Sequence, residues 1–272
     1  MLSKKFYDKK VVFIGSGNMA EAIVSGFVKY DMVKSSNIFC NDILQERLNY
    51  MAQKYTVSVS HDKEKALEKA DVVFLAIKPQ QIEAIIKEYG KQIGKAKLVV
   101  TIVAGISTEL VEKYLSKKSV VIRVMPNTPA LVGKGAIAVC GGKNATKENI
   151  DDIVNLFLAI GRVVVVKENL INTITAVSGS GPAYIFYFSE VMREVAENLG
   201  LPADVAKDLV YQTIYGSGKM LVESGLEDKV LRKNVTSPGG TTEKAMEEFI
   251  NSDFKQIIYT AIEKAKKRAE EL

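Results

Sequence analysis

The chain has 272 residues, 47% hydrophobic and 25% charged, a balance that suits one large or two ordinary globular domains whose core needs no staples. Net charge is +5, from 37 Lys and Arg against 32 Asp and Glu, an excess that suits anionic small molecules and falls short of a nucleic-acid footprint. Cys40 and Cys140, the only cysteines, each end an apolar run, which excludes a disulfide framework and fits small core residues in a reducing interior.

The N-terminal lysines are followed by the apolar run Val11 to Ile14, which meets Gly15 too soon for a secretory signal and reads as a first strand. No window approaches the roughly 20 apolar residues of a membrane span, so a cytoplasmic protein without a membrane partner is expected. Further short runs follow at Asn37 to Cys40, Val57 to Val59, Val72 to Ile77, Leu98 to Val103, Val120 to Val124, Ala136 to Val139 and Val163 to Val166, with amphipathic stretches between them. Continuous Val/Ile runs spaced by helices predict a mostly parallel sheet covered on both faces.

Gly15-Ser16-Gly17-Asn18-Met19-Ala20 lies directly after the first strand and opens the first helix, the context in which G-x-G-x-x-A reads as a dinucleotide-binding turn. The first glycine permits the turn, the second lets a pyrophosphate approach the backbone, and Ala20 allows close helix packing. The second strand ends at Asn41-Asp42, about 25 residues beyond Gly17, where an acid would bond a free ribose 2′-hydroxyl and a neutral residue would tolerate a 2′-phosphate. Asn41 favours NADP and Asp42 favours NAD, according to which one points inward. Arg47 and Lys63 are near enough in sequence to meet a phosphate, with solvated surface as the plainer role. Ala76-Ile77-Lys78-Pro79 and Ala104-Gly105-Ile106 end the fourth and fifth runs, at the sheet edge where open α/β folds bind ligands. Lys78, before a proline, is held extended. Arg123 to Pro129 repeats the pattern after the sixth run, with two prolines stiffening a loop that could cross the site.

After Lys167 the alternation stops. Helices are expected over 183–198, about 203–223, about 242–250 and about 253–271. The first of them, with Tyr184, Ile185, Phe186, Tyr187, Phe188, Val191, Met192 and Val195, is apolar around most of its circumference and should be buried. About 100 residues of helix cannot surround it, so a second copy is expected to supply the cover. Ser237-Pro238-Gly239-Gly240-Thr241-Thr242 joins a glycine turn to a helix start, which suits a helix cap by Thr241 or Thr242 and also a small anion held by the free amides.

Taken in order, Gly15 to Ala20, Ala76 to Pro79, Met125-Pro126-Asn127-Thr128-Pro129, Ser178-Gly179-Ser180-Gly181-Pro182-Ala183-Tyr184 and Ser237 to Thr242 resemble pyrroline-5-carboxylate reductase over nearly the whole chain. The last two motifs are the specific ones. The resemblance implies an α/β Rossmann-type N-terminal domain, residues 1–166, and an all-α C-terminal domain, residues 167–272, that dimerises and often assembles further. It implies reduction of 1-pyrroline-5-carboxylate to proline with NADP(H), NAD(H) remaining open. It places the dinucleotide on Ile14, Gly15, Ser16, Gly17, Asn18 and Met19, on Ala76, Ile77, Lys78 and Pro79, and on Ala104, Gly105 and Ile106, to which the end of the second strand adds Asn41 and Asp42, a departure from the serine, asparagine or arginine that relatives often carry there. It places substrate against Glu168, Asn234, Thr241 and Thr242.

Reduction of a cyclic imine needs a hydride donor, a partner for the ring nitrogen and an anchor for the carboxylate, and no metal or covalent nucleophile. The amides of Gly240, Thr241 and Thr242 are the expected anchor and the Thr242 hydroxyl the partner at nitrogen. His61, the only histidine, is expected to be structural. A 3-hydroxyacid dehydrogenase of similar plan would need a lysine on the long helix, and none occurs between Lys167 and Lys207. A silent dinucleotide sensor or scaffold would leave the Ser237 to Thr242 corner without a purpose.

Overall fold

The computed structural model describes residues 4–96 and 98–272. They form two compact units, Met1–Ser180 together with Ala265–Leu272, and Gly181–Lys264. The segment 167–180, which loses the strand periodicity, therefore packs with the first unit, and so do the last eight residues.

In the first unit, the described strands are β1 (Val11–Ile14), β2 (Ile38–Asn41), β3 (Ser58–Ser60), β4 (Val72–Leu75), β5 (Leu98–Thr101), β6 (Val121–Met125), β7 (Gly135–Gly141) and β8 (Gly161–Val165). They make one sheet in the order β3-β2-β1-β4-β5-β6-β7-β8, parallel throughout except for the β6–β7 pair. The antiparallel step has a local cause. Other parallel neighbours are joined through helices, whereas β6 and β7 are joined by a proline-containing 3₁₀ turn, Thr128–Val132, with no crossover helix to carry the chain back.

Both faces of the sheet are covered. Val11 and Phe13 of β1 pack with Ile23, Val24 and Phe27 of α1 (Asn18–Lys29) and with Ile153, Leu156 and Phe157 of the helix at Lys147–Phe157. Val12 and Ile14 face the opposite layer, with Leu67, Ile82, Ile86 and Val111. Period-2 alternation thus sends successive apolar side chains into two cores. Phe13 and Phe74 stack with ring centroids 4.6 Å apart, and Phe27 meets Phe74 edge-on at 5.9 Å. Cys40 and Cys140 are free and buried, and burial pushes both thiols up to about 12.

A π-helical turn, Thr175–Gly179, precedes the second unit. That unit comprises helices at Gly181–Asn198, Ala203–Glu223, Asp228–Asn234 and Thr241–Asn251, and most of the one at Phe254–Glu270. The short Asp228–Asn234 helix, which was not among the expected helices, buries no residue. The expectation that the 181–198 helix is buried does not hold within one chain: Phe186 is 65% and Tyr187 68% exposed, and only Ser189 of this helix is buried. Among the described residues, no helix is long and apolar enough to cross a membrane.

Candidate active site

The glycine turn after β1 is built by close approach. Gly15 sits at φ +94°, and a Cβ there would lie 2.5 Å from the Ala76 carbonyl oxygen at the end of β4, so only glycine fits. Its amide donates to the Asn41 carbonyl at 2.8 Å, which joins the ends of β1 and β2. Gly17 caps the start of α1 with no side-chain bond to the first-turn amides, and a Cβ on Gly17 would meet nothing within 4 Å. A helix start with uncapped amides and open space in front fits a pyrophosphate.

That space is a cleft of about 590 Å³ at the carboxyl ends of β1, β2 and β4. Ile14, Gly15, Gly17, Asn18, Asn41, Asp42, Ala76, Ile77 and Lys78 all line it, so motifs more than sixty residues apart in sequence converge on one site. Lys78 is extended, with ψ 147°, and Pro79 opens the following helix. Ser16 is buried beneath the turn and Met19 packs on the core. Ala104, Gly105 and Ile106 follow β5, with Gly105 at φ +75° and Ile106 buried.

At the β2 end of the cleft, Asn41 is 2% exposed and donates from Nδ2 to the Ser60 carbonyl at 2.7 Å, so its amide is engaged with β3. Asp42 accepts the Ser16 amide on Oδ2 at 2.8 Å and the Leu44 amide on Oδ1 at 3.0 Å. Arg47 lines the cleft but bonds the Ser16 carbonyl through Nε and the Glu21 carboxylate through Nη2 at 2.5 Å. Glu21, on α1, also accepts from Tyr50, Lys54 and Tyr55. Burial acts to raise its pKa, and these four donors outweigh it and hold the carboxyl at about 2. His61 joins the Asp42 carbonyl and the Gln45 side chain, each at 2.7 Å, a bracing role for the β2 loop.

Glu168 is the substrate-set residue that lies in the first unit. Its Oε1 accepts the Thr108 amide at 2.7 Å, its Oε2 accepts the Thr108 hydroxyl at 2.6 Å, and Arg123 Nη1 donates to Oε1 at 3.3 Å. Arg123 is 3% exposed, reaches Asn172 through Nη2, and among the described residues leaves its Nε without a partner. Asn127 accepts the Ala136 amide and donates to the Ser178 carbonyl at 3.0 Å, tying the Pro-Asn-Thr-Pro loop to the π-helical turn. Thr108 was not singled out from the sequence, and Arg123 and Asn127 stood there only within the Arg123 to Pro129 loop, without roles of their own. The available signal was an arginine inside an apolar strand, a position rarely charged unless paired.

The remaining substrate-set residues lie in the second unit. Asn234 ends the Asp228–Asn234 helix, and Gly240 is the cap residue of the Thr241–Asn251 helix, with no side-chain cap bond. The expected cap by Thr241 or Thr242 is corrected here: both stand in the first turn, and a glycine occupies the cap. The Gly240 amide is not a free anion donor either, because it closes a turn onto the Ser237 carbonyl at 3.0 Å. Glu243 reaches back to the Gly239 amide at 2.7 Å. The amides of Thr241 and Thr242 are left as outward donors among the described residues, with positive dipole character behind them.

A sheet wound around a glycine turn, with a cleft at its switch point, defines a Rossmann-type oxidoreductase of the nicotinamide-dependent class. Residues 10–105 match the family model described as NADP oxidoreductase coenzyme F420-dependent, and residues 168–272 match that described as Pyrroline-5-carboxylate reductase dimerisation. Pyrroline-5-carboxylate reductase 2 of Bacillus subtilis is 36% identical over 265 residues, covering 97% of this chain and 95% of that protein. A pyrroline-5-carboxylate reductase structure from Coxiella burnetii is 36% identical with a TM-score of 0.87, covering 97% of this chain and 98% of that one. The Plasmodium falciparum pyrroline carboxylate reductase, solved with NADP bound, is 28% identical with a TM-score of 0.88 over the same shares. The chain belongs to the pyrroline-5-carboxylate reductase family, whose members are NAD(P)H-dependent oxidoreductases.

Proposed function

We propose that this chain reduces 1-pyrroline-5-carboxylate to L-proline, the last step of proline biosynthesis, as a cytoplasmic homodimer or an assembly of dimers. NADPH or NADH supplies the hydride when bound in the cleft between β1, β2 and β4. The observation that carries the reading is the uncapped helix start at Thr241 and Thr242. Their amides suit the substrate carboxylate, and the Thr242 hydroxyl suits the ring nitrogen, where it orients the imine and relays a proton. Asn234 and Glu168 complete the substrate set, the latter presented by Thr108 and Arg123. Cofactor contacts are assigned to Ile14 to Met19, Asp42, Ala76 to Pro79 and Ala104 to Ile106. We place the domain boundary after residue 166, one residue past the end of β8.

The 181–198 helix supports the dimer, since its exposed aromatic face is the surface a second copy would cover. Oxidation of NADPH and of NADH, followed in parallel with 1-pyrroline-5-carboxylate, tests the activity. Failure with both dinucleotides refutes it. Normal dinucleotide binding without turnover would favour the sensor reading instead.

A further inference from the structure

The loop after β5 is covered by the chain itself. Val103 and Ile106 are buried in one core layer and Ala104 packs with Met125, Cys140 and Ile171, so Gly105 is the loop residue that enters neither core. Gly105 sits at φ +75°, and a Cβ there would lie 2.3 Å from Leu272 Cβ and 3.1 Å from the Leu272 carbonyl carbon. Leu272 therefore rests directly on the loop backbone, an approach open only to glycine. The open cleft reaches Ala76, Ile77 and Lys78 but none of Ala104 to Ile106. The contact ends a longer one: Ala265–Leu272 belongs to the first unit, whereas the helix at Phe254–Glu270 begins in the second. Ala269 is 3% exposed and anchors the segment, while Leu272 keeps 37% of its surface in solvent. Beyond that anchor the hold is slight, a bond from the Glu271 amide to the Arg268 carbonyl and an exposed Arg268–Glu271 ion pair. The far end of the loop is firm, because Glu168 grips Thr108. What can yield at Gly105 is Leu272.

We propose that Ala265–Leu272 is an autoinhibitory strap: Leu272 covers the Gly105 face that the dinucleotide requires, and dinucleotide binding lifts it. The inference rests on the reading of Ala104 to Ile106 as dinucleotide contacts. Two groups cannot occupy one backbone face at contact distance, so a seated Leu272 and a bound dinucleotide exclude each other. The affinity observed is then the intrinsic affinity of the site reduced by the fraction of molecules whose strap is open. Because Leu272 is only partly covered and Glu271 is held within its own turn, that reduction is modest, and the strap sets a threshold for binding without blocking it.

The test is equilibrium titration, without substrate, of the full chain and of a chain shortened after Glu270, each with NADH and with NADPH, read by calorimetry. The shortened chain is expected to bind whichever dinucleotide the full chain takes about three- to tenfold more tightly. Equal or weaker binding by the shortened chain overturns the strap and leaves the dinucleotide reading intact. Binding of neither dinucleotide to either chain refutes that reading and the strap with it. Hydrogen exchange of the 265–272 amides in the full chain is an independent readout. It should quicken at saturating dinucleotide, and unchanged or slower exchange likewise overturns the proposal. Tighter binding by the shortened chain without reduction of 1-pyrroline-5-carboxylate would refute the activity and leave the strap standing.

Discussion

Glu168 holds Thr108 by both its backbone amide and its hydroxyl, at 2.7 and 2.6 Å, across 60 residues of sequence. The contact pins the first turn of the Thr108–Tyr114 helix, directly after the Ala104 to Ile106 loop, to the segment that leads into the π-helical turn. Arg123 lies behind it, almost wholly buried.

The two charges of this pair differ in exposure, and their removal should differ in cost. Glu168→Gln strands a buried guanidinium that already lacks a partner at Nε, and is expected to cost about 2–3 kcal/mol. Arg123→Met leaves a carboxylate that keeps both Thr108 bonds and is 29% exposed, and is expected to cost about 1 kcal/mol or less. Urea unfolding of the two variants checks the order. An Arg123→Met loss exceeding that of Glu168→Gln would reverse the argument.

Glu21 makes stability depend on acid. Its folded pKa of about 2 lies below the ordinary 4.5, so its contribution is fully present above 4.5 and is lost as pH falls through about 2. In Glu21→Gln that part of the acid sensitivity should vanish, and stability at neutral pH should drop by about 1–3 kcal/mol. Denaturant midpoints at pH 7 and pH 3 measure both effects, and an acid loss as large in the variant as in the parent would exclude Glu21 as its source.

Gly15 and Gly17 should fail in different ways. Alanine at position 15 meets a positive φ and the Ala76 carbonyl, so the protein itself should lose about 1–2 kcal/mol or more. Alanine at position 17 meets nothing within 4 Å, so the fold should be unharmed while dinucleotide affinity falls about tenfold or more, the methyl standing where a pyrophosphate approaches. Melting curves with and without dinucleotide separate the two. Equal melting losses in both variants would contradict the geometry.

Thr242→Ala should keep dinucleotide binding and lower turnover about 10²-fold, the low end for a lost donor at a reacting centre. Single-turnover rates with saturating dinucleotide are the measurement, and an unchanged rate would remove Thr242 from the chemistry.

Phe186, 65% exposed in the single chain, should lie inside a dimer. The expected mass in solution at micromolar concentration is that of a dimer or a multiple of it, and Phe186→Glu should shift it towards the monomer. A monomeric parent would refute the dimer.

Much of this architecture was readable from the chain alone. Val11–Ile14, Val72–Leu75 and Leu98–Thr101 were visible as strands because a sheet covered on both faces demands continuous apolar runs. The glycine turn was visible because its residues are contiguous and their backbone demands are local. The direction of β7 was not, since the run Ala136 to Val139 looks the same whichever way it pairs. The burial expected for the 183–198 helix is not met within one chain, where Ser189 alone of that helix is buried.

What the sequence determined by itself was therefore local: periods of two and 3.6, the glycine turn, the Ser-Pro-Gly-Gly-Thr-Thr corner, and through them the family. What only the tertiary structure decided was partnership. It set Asp42 on the Ser16 amide 26 residues away, Arg47 on Glu21 and Glu168 on Thr108, and it gave the cap of the Thr241–Asn251 helix to Gly240. Side-chain charges and amides find partners in space, and a linear pattern carries no record of which distant donor stands nearest.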